Sequence, residues 1–459
     1  MKNNNETENV TRTDYNNERE TSRPAGKKTN KVLLAAIALF CAFVLFFSGF
    51  FAGSCSDPAA RKAKEIINLI DKYSAAVEGD ADKDDVARAI VAYVLKDDKY
   101  AKYYSKEEYV AALREDQGLY AGVGLSFLVD STGKITGNTV YQVQRNSSAY
   151  HAGVKSGDKI IAAKVLPDGE RTDFEDNSAL YDFLTTAPKD TDIAFYITRD
   201  GEFTEKEFVL VKEFYTACYV NYKDDSEELY FYSEHGAKTE ARVSAGGEPS
   251  LPEDAAIISL YGFEGDAARE FSSALAFMKQ KGKTKLILDL RNNGGGFMTT
   301  LAEIASYLVY NEGNKKSLIA VAKDKRGKRT EFYTPKNEFF DNVKKICVLA
   351  NENTASASEC LIGALLYYGK TAGRAEFSSD ELILTYNRSR GDYSTYGKGI
   401  MQTTYELPSG GAFKLTTAYI YQPDGKTCIH DKGITTESPE NRVEDSAALK
   451  RAIEICKNA

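Results

Sequence analysis

The first apolar run of the chain is uncharged and lies close to its start. Residues 1–31 before it are polar and rich in Asn, Glu, Thr and Arg, which is typical of a disordered tail. Residues 32–53 contain no charged side chain, and a helix of that length rises ~33 Å, enough to cross a bilayer. The basic residues Lys27, Lys28 and Lys31 stand directly before it. This pattern predicts a transmembrane helix with a cytoplasmic tail and an extracytoplasmic remainder.

Two other interpretations of the same run remain open. A cleaved signal peptide also has an apolar run, although this run is long and the polar tail before it is longer than usual. Gly53-Ser54-Cys55 fits the end of a lipoprotein signal, with Ala52 where Leu is preferred, so a lipid anchor at Cys55 is the second alternative. We favour a retained anchor in the cell membrane.

Residues 56–118 carry the periodicity of helices. Ile66, Ile67 and Ile70 mark one amphipathic face, and a second helix is predicted from 84 to 95. Ser105, followed by Glu108 three residues later, has the spacing of a capping box and predicts a further helix. We assign this helical lead-in no chemistry.

Short apolar runs separated by glycines follow in residues 119–213 and predict a β-rich domain. The segment 120–127 contains a Gly-rich turn, and the segment 147–161 contains the run Ala-Gly-Val-x-x-Gly-Asp. Together the two segments resemble a PDZ domain, in which backbone N–H groups of the turn bind a C-terminal carboxylate and the next strand accepts a peptide along its edge. The resemblance implies the peptide-binding residues Gly122, Val123, Gly124 and Leu125.

A strand–helix–strand pattern appears beyond the Tyr-rich hairpin or linker at 214–250. The strand 255–260 and the helix 266–280 precede a buried strand at 284–290, which predicts a parallel sheet with a right-handed crossover. The last strand leads into Arg291-Asn292-Asn293-Gly294-Gly295-Gly296, a turn rich in glycine.

A candidate nucleophile lies at the next strand-to-helix turn. The apolar run 346–350 predicts a buried strand, and apolar residues recur at helical spacing from Leu361 to Tyr368. Ser356 stands between them, where free N–H groups at a helix N-terminus favour a developing oxyanion. The alternative is that Ser356 only caps the helix.

A candidate general base follows in Gly397-Lys398-Gly399-Ile400-Met401-Gln402. Lys398 and Gln402 are four residues apart, which places both side chains on one face of a strand or a helix. A lysine that acts as a base must be neutral, which requires a pKa about three units below its ordinary value, or about 4 kcal/mol of environmental work. The alternative is a solvated lysine in a Gly-rich turn.

These motifs resemble the carboxyl-terminal processing peptidases of family S41, which are serine proteases with a Ser-Lys dyad and a PDZ domain. Thr-Ala-Ser-Ala-Ser-Glu at 354–359 and Gly-Lys-Gly-x-x-Gln at 397–402 carry the resemblance. It implies that Ser356 is the nucleophile, Lys398 the general base and Gln402 the residue that orients the lysine. It also implies an oxyanion hole formed by the N–H group of Ala357 with that of Gly295 or Gly296. Gly294 stands where the family has Pro.

The segment between nucleophile and base is longer than usual for the family. Ser356 and Lys398 are 42 residues apart, and the surplus is polar and lies at 377–396. It is either a lid or regulatory flap, or an inert surface insertion.

Charge and residue usage exclude several other functions. The net charge of −8 argues against a nucleic-acid partner. Only three histidines are present, so neither a Ser-His-Asp triad nor a His-based metal site is expected, and we read His430 as structural. Cys347 and Cys360 are predicted to be core residues. No cofactor and no metal are implied.

The sequence therefore predicts a multidomain α/β protein. Its domains are a disordered tail (1–31), a transmembrane helix (32–53), a helical lead-in (56–118), a PDZ-like β domain (119–213) and a peptidase domain with a parallel sheet and further strands (214–459). The expected function is a membrane-anchored serine endopeptidase that recognises polypeptides by their C-terminal tails, with homo-oligomerisation left open. One alternative is an inactive or gated peptide-binding scaffold, and another is an anchored serine hydrolase acting on cell-wall amides or esters.

Overall fold

The structure, a computed structural model, describes most of the chain after the predicted anchor. The described residues are 83–127, 137–174, 177–199, 204–234, 237–243, 250–309, 315–335, 340–372 and 377–458. The predicted tail, the predicted transmembrane helix and Cys55 lie outside these ranges. Within them, no helix has both the length and the apolar character needed to cross a bilayer.

An eight-stranded sheet forms the centre of the region that follows residue 217. Its strand order is β11-β10-β9-β12-β13-β16-β17-β20. The strands are β9 (Val220–Lys223), β10 (Glu228–Glu234), β11 (Ala237–Val243), β12 (Ala255–Leu260), β13 (Lys285–Asp289), β16 (Lys345–Ala350), β17 (Leu382–Thr385) and β20 (Arg442–Val443). The five strands from β12 to β20 run parallel, and β9, β10 and β11 pair antiparallel. The predicted parallel sheet is confirmed.

Helices cover both faces of this sheet, so its parallel strands are apolar on both sides. The helices are α5 (Ala267–Gln280), α6 (Met298–Leu308), α7 (Ala357–Ala372) and α8 (Asp445–Lys457). Alternate strand residues enter two separate cores: Leu286 and Val348 pack with α5, α6 and α7, whereas Ile287 and Cys347 pack with α8. Cys347 and Cys360 are both buried, as predicted.

A second sheet begins directly after the loop of the candidate base and includes part of the lead-in. Its order is β1-β19-β14-β15, with β18 paired to β19. The strands are β1 (Lys102–Tyr104), β14 (Leu318–Asp324), β15 (Arg329–Tyr333), β18 (Ile400–Glu406) and β19 (Ala412–Tyr421). The strands β18 and β19 pair antiparallel.

Residues 119–216 form a separate β body with its own apolar core. Its main sheet has the order β2-β8-β7-β5-β6, and β3 pairs with β4. The elements are β2 (Leu119–Gly122), β3 (Leu125–Ser126), β4 (Gln142–Val143), α3 (Ser148–Ala152), β5 (Lys159–Val165), β6 (Thr172–Asp173), α4 (Asn177–Thr186), β7 (Thr191–Thr198) and β8 (Lys206–Thr216). Its assignment as a PDZ-like domain stays a prediction.

The described part of the lead-in, residues 83–118, is only partly helical; the predicted helix with Ile66, Ile67 and Ile70 lies outside the described residues. The helices α1 (Lys83–Val94) and α2 (Lys106–Asp116) are where the periodicity predicts them, and Ser105 with Glu108 forms the predicted capping box. Between them, however, β1 pairs with β19. The prediction of a wholly helical lead-in was therefore wrong at residues 102–104, because this short Tyr-rich stretch finds a strand edge to pair with, which local periodicity does not reveal.

The insertion at 377–396 contains a strand of the central sheet. Its residues 382–385 form β17, a fully buried strand between β16 and β20. The loop after β17 is held at Asn387, Ser394 and Thr395, which are buried, whereas residues 388–391 are exposed. The expectation of an inert surface insertion was therefore wrong at 382–385, because the polar residues around them conceal a short strand with three apolar side chains. A lid or regulatory role of the exposed loop stays a prediction.

Candidate active site

Ser356 occupies a sharp turn between strand and helix. Strand β16 ends at Ala350, helix α7 begins at Ala357, and Ser356 has φ of 58°, in the left-handed region. Such a backbone conformation costs a non-glycine residue about 1–2 kcal/mol, so the surrounding contacts must hold it in place. Ser356 Oγ makes no hydrogen bond to any described residue. The hydroxyl therefore does not cap helix α7. It makes no hydrogen bond to a described residue that would compete with a reaction partner.

The Gly-rich turn after β13 holds the Ser356 turn from one side. The Asn293 carbonyl accepts from Ala355 N at 2.9 Å and from Ser358 Oγ at 3.0 Å. The buried Asn293 side chain donates to the Leu260 carbonyl at 2.8 Å, which ties the turn to β12. Asn293 therefore fixes the nucleophile loop to the central sheet, a role that sequence reasoning did not assign.

Gly295 packs directly against the nucleophile. A Cβ atom added at Gly295 would lie 2.8 Å from each of Ala355 O, Ala357 N and Ser356 Cβ, and Gly295 has φ of 101°. Both the close approach and the backbone conformation require glycine here. At Gly294, by contrast, an added Cβ would meet nothing within 4 Å.

The three predicted oxyanion-hole residues have different hydrogen-bonding states. Ala357 is the first residue of α7, so its N–H group has no partner within the helix. The Gly295 N–H group donates to Asn293 Oδ1 at 2.9 Å and is therefore occupied. The Gly296 N–H group makes no hydrogen bond to a described residue, and Gly296 is exposed. Of the three N–H groups, those of Ala357 and Gly296 have no hydrogen-bond partner among the described residues, and an oxyanion hole formed by them stays a prediction.

A buried carboxylate links the nucleophile turn to the loop of the base. Glu359 Oε2 accepts from Ser356 N at 2.8 Å and from Lys398 N at 2.9 Å. Glu359 Oε1 accepts from Gly397 N at 2.7 Å and from Thr395 Oγ1 at 2.5 Å. Burial raises the pKa of Glu359, and these four hydrogen bonds counteract that rise. The fully buried carboxylate holds together two loops that the sequence separates.

The surroundings of Lys398 favour its neutral form. Burial is the largest cause that lowers its pKa, and the nearby ammonium of Lys414 lowers it further. The carboxyl groups of Glu359 and Glu264 oppose this effect. Lys398 Nζ makes no ion pair or hydrogen bond with a described residue, and it lies 5.1 Å from the ring centroid of Tyr100. In this structure Ser356 Oγ and Lys398 Nζ are therefore not hydrogen bonded to each other.

Gln402 contacts a different group from the one expected. Its Nε2 atom donates to the Tyr100 carbonyl at 2.8 Å, and no hydrogen bond joins it to Lys398. Lys398 precedes β18, and the pairing of β18 with β19 shifts register between Met401 and Gln402. This bulge breaks the strict alternation on which the same-face argument depended. The orienting role of Gln402 stays a prediction.

The loop at 429–433 supports the two glycines that flank Lys398. Asp431 N donates to the Gly397 carbonyl at 2.9 Å. A Cβ at Gly399 would lie 2.5 Å from His430 N, so the two backbones are in close contact. The ring of His430 is tilted by 54° against that of Tyr419, with ring centroids 5.2 Å apart. The structural role of His430 stays a prediction.

The four predicted peptide-binding residues lie at the start of the β body, away from Ser356 in the chain. The Gly124 Cα packs on Ser147, since a Cβ would lie 2.0 Å from Ser147 Oγ. The Val123 side chain belongs to the apolar core. Gly122 ends β2 and Leu125 begins β3. Their role in binding a peptide stays a prediction.

A cleft of about 1060 Å³ separates the β body from the ends of the parallel strands. Tyr141 and Arg145 line one side, and Asn353 and Arg388 line the other. Asn353 Nδ2 donates to Tyr141 Oη at 2.8 Å, which connects the β body to the loop that precedes Ser356. The Arg145 guanidinium lies among three tyrosine rings, those of Tyr150, Tyr230 and Tyr261, at 4.9 to 5.4 Å.

Sequence reasoning missed Glu359 and Tyr100 as parts of the site. Glu359 had a signal, because Ser356 and Glu359 have the S-x-x-E spacing of a capping box, and Glu359 does accept from Ser356 N. Tyr100 had none, since its contact with Lys398 depends on pairing between strands far apart in the chain.

The fold is an α/β sheet that places a serine at a strand-to-helix turn, with a half-buried lysine on the loop that shares the Glu359 carboxylate. The chain matches the model of peptidase family S41 over residues 254–376 and 388–438. The resemblance to this family that the motifs indicate is therefore confirmed. The unmatched residues 377–387 include β17.

The chain is similar in sequence to proteases from two staphylococci. A protein named "Probable CtpA-like serine protease" from Staphylococcus aureus (strain N315) is 26% identical over 364 residues, which make up 77% of this chain and 60% of that protein. Its namesake from Staphylococcus epidermidis (strain ATCC 12228 / FDA PCI 1200) is 32% identical over 180 residues, 39% of this chain and 32% of the relative. The chain thus spans 60% of the length of the first of these relatives. A solved structure, the photosystem II D1 C-terminal processing protease, aligns with 86% of this chain and 90% of its own, at 21% identity and a TM-score of 0.47.

Proposed function

We propose that this protein is a serine endopeptidase that uses Ser356 as nucleophile and Lys398 as general base. The observation that carries the proposal is the shared carboxylate of Glu359, which holds the backbone of both residues at one point of the fold. The match to family S41 supports the same chemistry.

The proposed reaction is acyl transfer in two steps. Neutral Lys398 takes the proton of Ser356 Oγ, and Oγ forms a bond to the peptide carbonyl carbon. The oxyanion is stabilised by the N–H groups of Ala357 and Gly296. Lys398 then gives its proton to the leaving amine as the peptide bond breaks, and water releases the acyl group from Ser356 by the same proton transfers.

The β body at 119–213 is proposed to bind the C-terminal tail of a polypeptide substrate. Its Gly-rich turn at 122–125 and its resemblance to a PDZ domain support this role. The cleft beside Tyr141 and Asn353 leads from this body toward the loop of Ser356 and has room for an extended chain. Gln402 would orient the base through its free Oε1 atom.

The predicted helix at 32–53 is proposed to anchor the protein in the cell membrane, with the peptidase on the extracytoplasmic side. The uncharged run and the basic residues before it support this placement. The substrates would then be exported or membrane-attached polypeptides.

Two substrates test the proposal with the full-length chain in detergent. Unfolded casein should be hydrolysed by the wild type and by neither Ser356→Ala nor Lys398→Ala. A reporter protein with an apolar C-terminal tail should be cleaved faster than the same reporter ending in two aspartates. Equal rates for the two reporters would overturn tail recognition, and hydrolysis by Ser356→Ala would overturn the nucleophile.

A gated site is the second candidate, and one observation favours it. Ser356 Oγ and Lys398 Nζ make no hydrogen bond to each other. The absence of this bond is what we expect of a site in its resting, inactive state. Casein hydrolysis that begins only when a free apolar-tail peptide is added would support gating. Peptide binding with no hydrolysis under either condition would support an inactive scaffold.

A further inference from the structure

The segment 98–104, which we call the strap, is fixed to the second sheet at both ends. The Asp98 carboxylate accepts from Thr416 N at 2.9 Å and from Thr416 Oγ1 at 3.0 Å. At the other end, Lys102 and Tyr104 pair with Lys414 and Ala412 of β19. The residues between these anchors are therefore held at a defined place above the sheet.

Tyr100 lies between the two anchors and contacts both the base and its neighbour. Its ring centroid is 5.1 Å from Lys398 Nζ, and its carbonyl accepts from Gln402 Nε2 at 2.8 Å. Its buried Oη atom interacts with the hydroxyl of Tyr396 and makes no hydrogen bond to Lys398 or Gln402. The ring and the carbonyl, rather than the hydroxyl, are thus the parts that reach the candidate dyad.

We propose that Tyr100 is a positioning residue of the general base, whose ring shields Lys398 from water and whose carbonyl fixes Gln402. The proposal rests on the proposed peptidase function and adds the strap, a segment before the β body, to the machinery of that site. It assigns to the lead-in a role that neither its sequence nor the family match indicates, since the match begins at residue 254.

Two physical effects of the ring on Lys398 have opposite signs. An aromatic ring near an ammonium stabilises its charge by about 0.5–2 kcal/mol. Loss of hydration acts the other way and lowers a lysine pKa by up to about 3–5 units when the group is fully buried. Burial, to which the ring at 5.1 Å contributes, is the largest cause that lowers the pKa of Lys398. The proposal takes shielding as the stronger of the two effects of the ring.

The other groups that face this pair come from several elements. Charged or titratable groups around Lys398 and Tyr100 are Glu359 of α7, Lys414 of β19, Glu264 of the loop after β12, Asp431 of the supporting loop, Tyr396, and Lys99 of the strap itself. All six of these side chains are still present in a Tyr100 variant. A change in the pH profile of a Tyr100 variant therefore reports the loss of the ring.

The test measures how fast a fluorophosphonate labels Ser356 between pH 5 and 10, in the full-length chain. In Tyr100→Ala, water reaches Lys398 and its pKa rises, so the rate profile should move to higher pH by about one unit, with about a tenfold loss at pH 7. Tyr100→Phe keeps the ring and should retain the wild-type profile. Tyr93→Ala, at a site 83% exposed on α1, is the matched surface control.

A second variant and a kinetic split guard against a purely structural effect. Tyr100→Gln keeps the length of the side chain but brings a polar group to Lys398, so it should show the same alkaline displacement. Casein hydrolysis by both variants should lose kcat while KM stays within about twofold, because the proposal gives Tyr100 a contact with Lys398 and Gln402 and none with the substrate.

The outcomes separate this inference from the proposed function. An unlabelled Ser356 in the wild type would overturn the proposed function itself. A labelled wild type with the same pH profile in Tyr100→Ala and Tyr100→Gln would overturn the role of Tyr100 and leave the dyad intact. A loss in Tyr100→Phe equal to that in Tyr100→Ala would assign the effect to the hydroxyl and contradict the shielding argument.

Discussion

The backbone N–H groups of Ser356 and Lys398 donate to the same atom, Glu359 Oε2, at 2.8 and 2.9 Å. The two residues are 42 positions apart, and an entire strand of the central sheet lies between them. Because one buried carboxylate binds both backbones, the nucleophile turn cannot move relative to the base loop without breaking a charge-assisted hydrogen bond. The candidate dyad is therefore held together by a residue outside it.

Glu359→Gln should damage activity more than stability. An amide can accept from only one side, so at least one of the four N–H or O–H donors loses its partner, at a cost of about 1–3 kcal/mol. A displacement of either loop by about 1 Å should lower kcat about 10²-fold. Casein hydrolysis and chemical denaturation measure the two effects. The control is Glu352→Gln on the same loop, which should change kcat less than twofold; equal losses in both variants would contradict the account.

Gly295→Ala should abolish hydrolysis, whereas Gly294→Ala should be almost neutral. At Gly295 the new Cβ would lie 2.8 Å from Ser356 Cβ and Ala357 N, which displaces the nucleophile or the oxyanion donor. Loss of one oxyanion-hole donor costs about 10²- to 10³-fold in kcat. The two variants add the same methyl group at neighbouring positions, so each serves as the control for the other. Similar kinetics in both would show that the close packing at Gly295 has no catalytic consequence.

The charges beside Lys398 should move the pH profile in opposite directions. Glu264 is a buried carboxyl whose pKa is raised to about 7, mainly by burial, and its anionic form raises the pKa of Lys398. Lys414 lowers the pKa of Lys398. Since the base must be neutral, the rate rises with pH through the pKa of Lys398. Glu264→Gln should therefore shift the rise in kcat/KM to lower pH, and Lys414→Gln should shift it to higher pH.

These two variants serve as controls for each other. Each replaces a charged side chain by the same amide, so a general effect of the substitution would move both profiles in one direction. Shifts of about half a pH unit or more are expected for charges this close. Displacement of both profiles to the same side would refute the assignment of the rate to neutral Lys398.

Stability should fall as pH rises toward 8 because of Glu270. This residue of α5 is buried, its Oε2 atom accepts from Tyr219 N at 2.8 Å, and burial raises its pKa to about 8. A carboxyl with a raised pKa stabilises the fold most below its ordinary pKa of 4.5, and this contribution is lost as pH rises through the folded value. Urea denaturation at pH 5, 6, 7 and 8 should show the decline. Glu270→Gln should flatten it, and Glu107→Gln, at an exposed position of α2, should not.

The central sheet and its helices were predictable because their signals are local. Apolar runs such as 346–350 are long and uniform enough to predict buried strands, and the motif at 354–359 marks the turn of Ser356. Strand β17 was missed because its three apolar residues stand among charged ones, and its burial depends on the neighbouring strands β16 and β20. Over only four residues, the sequence of a surface loop and that of a short internal strand cannot be told apart by their pattern of apolar positions.

The sequence motif identified Lys398 as the candidate base, but it did not predict the contacts around this side chain. The glycines on either side of Lys398 allow close backbone packing: Gly399 lies against His430, and Gly397 lies against Gly433. To predict that the strap lies over Lys398, one would need to know that β1 pairs with β19, which is more than 300 residues away in the chain. The bulge before Gln402 likewise arises from strand pairing and left no trace in the sequence.

The most direct test of the account is to identify the residue that a fluorophosphonate modifies. Full-length wild type, Lys398→Ala and Lys426→Ala are treated at pH 8, digested and mapped by mass spectrometry. The account predicts a single modified serine, Ser356, in wild type and in Lys426→Ala, and at least a hundredfold slower modification in Lys398→Ala. Modification of another residue, or an equal rate in Lys398→Ala, would contradict the assignment of Ser356 and Lys398 as nucleophile and base.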